Sequence, residues 1–550
     1  MRHSPSAFVV AVSMAGIRTH AMTQRLLSAA AMAVLIAAVF RPAPLTAAPA
    51  ASCASLASTA LPDTTITATE DVAGPSFTPP GGAALSNLPR FCRVAATTKP
   101  AIKFEVWLPL ANWNGKFHGV GNGANAGSIV YGAMATALRR GYATASTDTG
   151  HATTNPRDAS WAVGHPELVA DFGYRAIHVT ADNAKQIVQA FYGQRASRSY
   201  FMSCSTGGRQ ALMEAQRFPD DYDGIVAGAP AANWTRFQTG GHLWIALAMN
   251  KDPESYLPAG KLPLLATAVN AACDSIDGIA DGVLDDPRKC AFDPEVLMCP
   301  GNNVGKDAAT CLTPQQVRAV KDVWSGSRNS SGLVYPGYMP GAEAAGGWAA
   351  YTTGTGPLTG NHWAQAENVL KYLVFENPTW DFRTFDFDKD LAFAEAKLGK
   401  TFDAFDPDLS RFRQRGGKLL LYHGWNDPSI SPLNTINYYE RVVTFLRGSK
   451  SRQQAETEAQ QFVRLFMAPG MLHCGGGPGP NTFDMLAALE NWVEHNRAPD
   501  RVVASHATSG VQDRTRPLCV YPKVAVHTGR GSTDEAANFV CQMPGATASR

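Results

Sequence analysis

Ser197-Arg-Ser-Tyr-Phe-Met-Ser-Cys-Ser-Thr-Gly-Gly-Arg-Gln-Ala-Leu-Met-Glu-Ala-Gln-Arg-Phe218 is the stretch on which the fold turns. Residues 197–203 read as a short strand and Gly208–Phe218 as a helix, with only a tight turn between them. A serine on such a turn projects its hydroxyl above the sheet edge. The free N–H groups of the helix behind it face any negative charge that develops there. This is the logic of the G-x-S-x-G nucleophile elbow, with Ser203 in place of the first glycine and Gly207 as the second. Ser205 also suits a plain helix cap, and the segment alone leaves both readings open.

Outward from this turn, the chain alternates strands and helices. Residues 101–108 (AIKFEVWL) read as a strand, followed by a glycine-rich turn from Gly119 to Gly127. Gly141–Thr147 is a second strand, leading into Asp148-Thr-Gly-His151, and apolar residues recur at helical spacing from Asp171 to Tyr192. Asp223–Ala227 is another strand. The rhythm resumes with a strand over Gly416–Gly424, a helix over Thr435–Arg447, a strand over Phe462–Ala468 and a helix over Thr482–His495. Such alternation predicts the α/β class, with a parallel sheet covered on both faces. From about Ala232 to Phe405 the rhythm breaks. This loop-rich stretch holds four of the ten cysteines and six of the eleven tryptophans and reads as an insertion. The tail after Arg501 is strand-like.

The chain has 550 residues, 45% hydrophobic and 17% charged, enough to bury a large core. Residues 1–50 carry four arginines (Arg2, Arg18, Arg25, Arg41) and no acid; of the 48 basic residues, 44 remain against 46 acidic ones. A body so near neutrality argues against a nucleic-acid binder. Arg25 precedes an apolar run, Leu26–Phe40, too short to span a bilayer, and Ala48-Pro49-Ala50 fits a small-residue cleavage site. Residues 1–50 therefore read as a signal peptide, and the mature chain as secreted or periplasmic. All ten cysteines lie after residue 50, which agrees with an oxidising compartment. The division that follows is leader 1–50, first core part 51–231, insertion 232–405 and second core part 406–550.

Serine is a weak nucleophile without a neutral imidazole to take its proton and a carboxylate to hold that imidazole. Asp427, in Tyr422-His-Gly-Trp-Asn-Asp-Pro428, and His473, in Ala468-Pro-Gly-Met-Leu-His-Cys-Gly475, each follow a strand. The order Ser, Asp, His is that of α/β-hydrolases. His151 and His423 are rival bases: His151 precedes the elbow and breaks the order, and His423 ends its strand before the acid's loop. Cys204 directly precedes Ser205 and Cys474 directly follows His473. If serine and histidine are partners, these cysteines are brought within disulfide range, and a bond would lock the two loops together.

Cys204-Ser205-x-Gly207-Gly208, Gly424-Trp-x-Asp427 and His473-Cys474 together resemble the tannase and feruloyl esterase family, from about Cys53 to Cys541. The resemblance implies an α/β-hydrolase core with a lid formed by the insertion. It implies Ser205 as nucleophile, His473 as base and Asp427 as its orienter. The oxyanion donors would be the Thr206 N–H and one from the Gly121–Ala124 turn, at Gly123 or Ala124. The family often has a further glycine and then a bulky residue where this chain has Ala124-Asn125.

Asp274, Asp277 and Asp281, with Gly278 and Gly282, form an acidic loop bounded by Cys273 and Cys290. Hard oxygens in a tight loop suit calcium, but the spacing is not that of an EF-hand, and a solvated acidic loop is the alternative. The resemblance implies a structural Ca2+ held by the side chains of Asp274, Asp277 and Asp281 and the backbone oxygens of Ile279 and Val283. A Cys273–Cys290 bond would stabilise this short loop by about 3 kcal/mol. The remaining cysteines are read as the pairs Cys53–Cys92, Cys299–Cys311 and Cys519–Cys541. Among the lid tryptophans, Trp234, Trp244, Trp324, Trp348, Trp363 and Trp380, a stacking platform for a substrate ring is expected, with more of them in the core than at the pocket.

The expected activity is a secreted serine ester hydrolase acting on a hydroxycinnamate, gallate or related phenolic ester, free or attached to polysaccharide or polyphenol. A terephthalate monoester is a further candidate. Three alternatives stand beside it: an acyltransferase using the same acyl-enzyme, an inactive phenolic- or glycan-binding homologue, and a calcium-dependent structural protein.

Overall fold

The computed structural model describes residues 49–300, 310–344 and 346–544; the segment 1–50 expected to be a signal peptide lies outside them but for residues 49 and 50. Nine strands form one sheet: β1 (Thr64–Val72), β2 (Phe91–Thr98), β3 (Ile102–Pro109), β4 (Lys116–Val120), β5 (Ala143–Thr147), β6 (Arg198–Cys204), β7 (Gly224–Gly228), β8 (Lys418–Gly424) and β9 (Val463–Ala468). Their order is β1-β2-β3-β5-β4-β6-β7-β8-β9.

The expectation of a wholly parallel sheet is corrected at one edge. Strands β5-β4-β6-β7-β8-β9 run parallel, but β1, β2, β3 and β5 pair antiparallel. Antiparallel neighbours need only a short turn, as between Thr98 and Ile102, so no helix intervenes to mark them in the sequence. β1 is mostly exposed or half-buried, so its apolar signal is weak.

The parallel strands are buried on both faces, which explains runs such as Gly-Ile-Val-Ala-Gly in β7, every residue of which is buried. One face is covered by the helices Ala176–Tyr192 and Pro432–Arg447, the other by Met485–His495 with Leu489 and Trp492 buried. Ala176–Tyr192 buries Ile177, Ala181, Ala184, Val188 and Phe191, a helical stripe, and stops at Gly193, whose φ of 69° a side chain would resist.

The insertion is mainly helical, not loop-rich as its sequence suggests. It holds helices Trp244–Asn250, Leu262–Cys273, Pro314–Ser325 and Asn361–Asn368 and a hairpin, Gly326–Asn329 with Gly332–Pro336. The helices are short and separated by glycine, proline and aspartate, which obscures their periodicity. Leu262–Cys273 still buries Leu262, Leu265, Val269 and Cys273, and Pro314–Ser325 begins with a Thr313/Gln316 capping box. This second core also includes Ala126, Phe172 and Ile430 from the sheet's loops, so the insertion is packed against them. The tail forms two hairpins, Arg501–Thr508 with Val511–Cys519 and Val524–His527 with Phe539–Gln542. The disulfides Cys53–Cys92, Cys273–Cys290, Cys299–Cys311 and Cys519–Cys541 are present.

Candidate active site

Strand β6 ends at Cys204, and the helix Thr206–Arg217 starts one residue beyond Ser205. Ser205 takes φ 67° and ψ −126°, a strained backbone region for a side-chain-bearing residue. Its N–H donates to the Gly228 carbonyl at 3.0 Å, and its own carbonyl accepts from Arg209 N–H at 3.0 Å. Ser205 stands at the cap position, yet its side chain makes no capping bond.

Two glycines make the turn possible. A Cβ at Gly207 would lie 1.9 Å from Ser203 Oγ, and one at Gly208 would lie 2.3 Å from the Gly228 carbonyl oxygen. The second contact is with backbone and has nothing flexible to yield. Gly208→Ala is expected to cost about 3 kcal/mol of stability, at the top of the range for overpacking; urea unfolding against wild type measures it, and an unchanged midpoint would refute the packing argument.

The Ser205 hydroxyl lies 2.9 Å from His473 Nε2, and His473 Nδ1 lies 2.7 Å from Asp427 Oδ2. Asp427 and His473 sit in the loops after β8 and β9, at the ends of parallel strands beside the elbow. Cys204 and Cys474 are disulfide-bonded with Cα atoms 5.9 Å apart, tying the histidine's loop to the elbow.

Asp427 is buried, and each carboxylate oxygen has two donors. Oδ1 accepts from the N–H groups of Ser429 (2.7 Å) and Ile430 (2.9 Å); Oδ2 accepts from His473 and from His423 Nε2 (3.1 Å). Burial alone would raise its pKa. The positive charge possible on His473 and the bonds from both histidines outweigh burial and hold it well below the usual carboxylate range.

The rival histidines have other tasks. His423 is fully buried; its Nδ1 meets Thr435 Oγ1 at 2.7 Å, so it steadies the acid. His151 stacks on Trp161 at 3.8 Å and bonds to the Asn125 carbonyl at 2.8 Å, and burial lowers its pKa to about 4.

The turn after β4 faces the elbow. Asn122 N–H donates to Gln210 Oε1, Asn125 N–H to the Pro156 carbonyl and Ala126 N–H to the Gly123 carbonyl. Among the described residues, the N–H groups of Gly123 and Ala124 have no such acceptor. Thr206 Oγ1 donates to the Ala124 carbonyl at 2.6 Å, which fixes this turn relative to the elbow.

These groups open into a cavity of about 480 Å³, lined by Ser205, His473, Phe237, His242, Tyr351 and Arg157 among others. None of the six lid tryptophans lines it, which corrects the expected platform. Trp234 and Trp348 are fully buried, Trp244 and Trp324 spend their N–H groups on the Asp322 carbonyl and Glu343, and Trp363 and Trp380 pack on Phe382 and Phe375. Large aromatic residues have most to gain from the insertion's own core, and the smaller Phe237 and Tyr351 are left to the cavity.

In the acidic loop, Asp274 Oδ1 accepts from the N–H groups of Gly282 (2.9 Å) and Val283 (3.2 Å), and Asp277 Oδ1 from Ile279 N–H (2.8 Å). Asp281 Oδ2 lies 2.7 Å from Arg516 and 3.4 Å from Arg514, and Asp285 lies 3.3 Å from Arg516. These arginines, brought in by the tail from more than 200 residues away, had no sequence signal. The loop offers carboxylates and carbonyls, the oxygen donors a hard divalent cation takes, but Asp274, Asp277 and Asp281 do not bring three carboxylate oxygens within 4.8 Å of one another, and Asp281 is paired with Arg514 and Arg516.

A half-buried serine held to an imidazole and a buried carboxylate, at the carboxyl ends of parallel strands, defines a hydrolase of the α/β type. Residues 86–542 match the family model described as tannase and feruloyl esterase, and the chain belongs to that family. It is a carboxylic ester hydrolase. It is 42% identical over 536 residues to an uncharacterized esterase of Xanthomonas campestris pv. campestris, covering 90% of this chain and 92% of that one. It is 37% identical over 537 residues to a mono(2-hydroxyethyl) terephthalate hydrolase of Piscinibacter sakaiensis, covering 84% and 87%. The crystal structure of feruloyl esterase B from Aspergillus oryzae superposes with a TM-score of 0.80 at 32% identity, covering 89% of this chain and 99% of that one.

Proposed function

We propose that the protein is a secreted serine esterase that cleaves aromatic esters through an acyl-enzyme. The observation that carries this reading is the unbroken chain Ser205 Oγ, His473 and Asp427, with links of 2.9 and 2.7 Å. Ser205 attacks the ester carbonyl while His473 Nε2 takes its proton. The oxyanion is held by the N–H of Thr206 and that of Gly123 or Ala124. His473 returns the proton to the leaving alcohol, then activates the water that releases the acid. Asp427 keeps the His473 hydrogen on Nδ1 and stabilises the imidazolium.

The acyl group in this reading is a hydroxycinnamate, gallate or related phenolic acid. The feruloyl esterase relatives and the cavity's Phe237 and Tyr351 support it. The five disulfides support export. A serine-directed fluorophosphonate followed by peptide mass spectrometry tests the mechanism: the label is expected on Ser205, and a folded protein that takes none there would overturn it.

The acidic loop is read as a structural calcium site, with Asp274, Asp277 and Asp281 as side-chain ligands and Ile279 and Val283 as carbonyl ligands. The ion would pin the insertion and the tail and takes no part in the chemistry. Chelation is expected to lower Tm and calcium to restore it, since calcium at a hundredfold its Kd would add about 2.7 kcal/mol. A Tm indifferent to both sinks the assignment.

A further inference from the structure

The insertion brings two histidines to this cavity that the proposed chemistry leaves idle. His242 lies on the helical turn Phe237–Leu243 and lines the cavity; His362 lies behind it on helix Asn361–Asn368. Their Nδ1 atoms are 2.6 Å apart, and His362 Nε2 is 2.9 Å from the carbonyl of Pro428, next to Asp427.

These contacts determine where the hydrogens are. A carbonyl only accepts, so His362 carries its hydrogen on Nε2. Burial holds both rings below the ordinary histidine pKa, His362 at about 3, so each is neutral and has one hydrogen. His362 Nδ1 is therefore an acceptor, and the bond between the rings requires the His242 hydrogen on Nδ1. His242 Nε2 is left as a bare lone pair. Among the described residues no protein donor reaches it, and a neighbouring carbonyl, through His362, keeps it unprotonated.

We propose that His242 Nε2 is a specificity-determining acceptor that selects ester substrates bearing a hydroxyl able to donate to it. The inference rests on the esterase reading of the same cavity. A phenolic hydroxyl on the acyl ring and a free hydroxyl on the alcohol share this chemistry. A substrate without the hydroxyl displaces water from the lone pair and offers nothing in return, and a methoxy group, which only accepts, is no better. His362 is a positioning residue, acting through the tautomer it imposes.

The test compares kcat/KM in two series. On the acyl side these are methyl 3,4-dihydroxycinnamate, methyl 3,4-dimethoxycinnamate and methyl cinnamate. On the alcohol side they are 2-hydroxyethyl and ethyl cinnamate. Wild type is expected to prefer the hydroxyl member of one series by about tenfold to a hundredfold, and the series that responds names the source. His242→Phe should collapse that ratio while still hydrolysing methyl cinnamate. His362→Phe, which frees His242 to move its hydrogen to Nε2, should shrink it with the His242 ring in place. The wild-type ratios remain decisive if a variant does not fold. Equal kcat/KM within both series, or a ratio that survives His242→Phe, overturns the proposal with the esterase reading intact. No turnover of any of the five esters overturns that reading and this proposal with it.

Discussion

Ser205→Ala is expected to lower ester turnover by about a millionfold with the fold intact. The hydroxyl's hydrogen bond is to His473 Nε2, and it makes no cap bond to the following helix. The backbone bonds of Ser205 to Gly228 and Arg209 survive in alanine. Stability should therefore stay within about 0.5 kcal/mol of wild type, as for a substitution that touches no packing. Hydrolysis of a chromogenic ester with a parallel melting curve measures both. A variant keeping more than a hundredth of the wild-type rate would remove Ser205 from the chemistry.

Asp427→Asn is expected to cost about ten-thousandfold in turnover, for a different reason. The wild-type carboxylate accepts two backbone N–H groups on Oδ1 and two histidine N–H groups on Oδ2. An amide has one accepting oxygen, and the backbone donors claim it. Its NH2 then meets His473 Nδ1, which must turn acceptor and shift its hydrogen to Nε2. In that tautomer His473 cannot take the serine's proton. The same NH2 faces the N–H of His423, which keeps the Ile430 carbonyl at 3.1 Å as its acceptor but loses a bond to a charged group worth about 1.5–3 kcal/mol. The variant should thus be both slow and less stable, whereas Ser205→Ala is only slow. The pH dependence adds a check. Asp427 has a pKa below its unfolded value of 3.8, so the stability it contributes is present above about pH 4 and is lost as pH falls. Acid unfolding of Asp427→Asn should lack that contribution. Near-wild-type activity in this variant would refute its role as orienter.

Much of the site was legible because its determinants are local. A strand, a one-residue turn at Ser205 and a helix with Gly207 and Gly208 hold the serine closely, since a Cβ at either glycine collides with a neighbour. Cys204 and Cys474 marked the serine and histidine as neighbours across a separation of 270 residues. Little about the lid was legible. Its short helices hide behind proline, glycine and aspartate, and its tryptophans, conspicuous in sequence, went to the core. Arg516, fully buried against Asp281 and Asp285, and the His242–His362 pair carry no local pattern at all.

The amino-acid sequence by itself determined the alternating α/β core, the elbow and the order Ser205, Asp427, His473. These follow from short-range stereochemistry, burial periodicity and adjacency, which a linear chain displays. Tertiary structure alone decided that the sheet turns antiparallel at one edge, that the tryptophans of the insertion stay out of the cavity, and that His242 and His362 meet Nδ1 to Nδ1 beside it. Those outcomes depend on which donor meets which acceptor after distant segments pack. Hydrogen bonds are satisfied pairwise in space, and the spacing of residues along the chain does not contain that information.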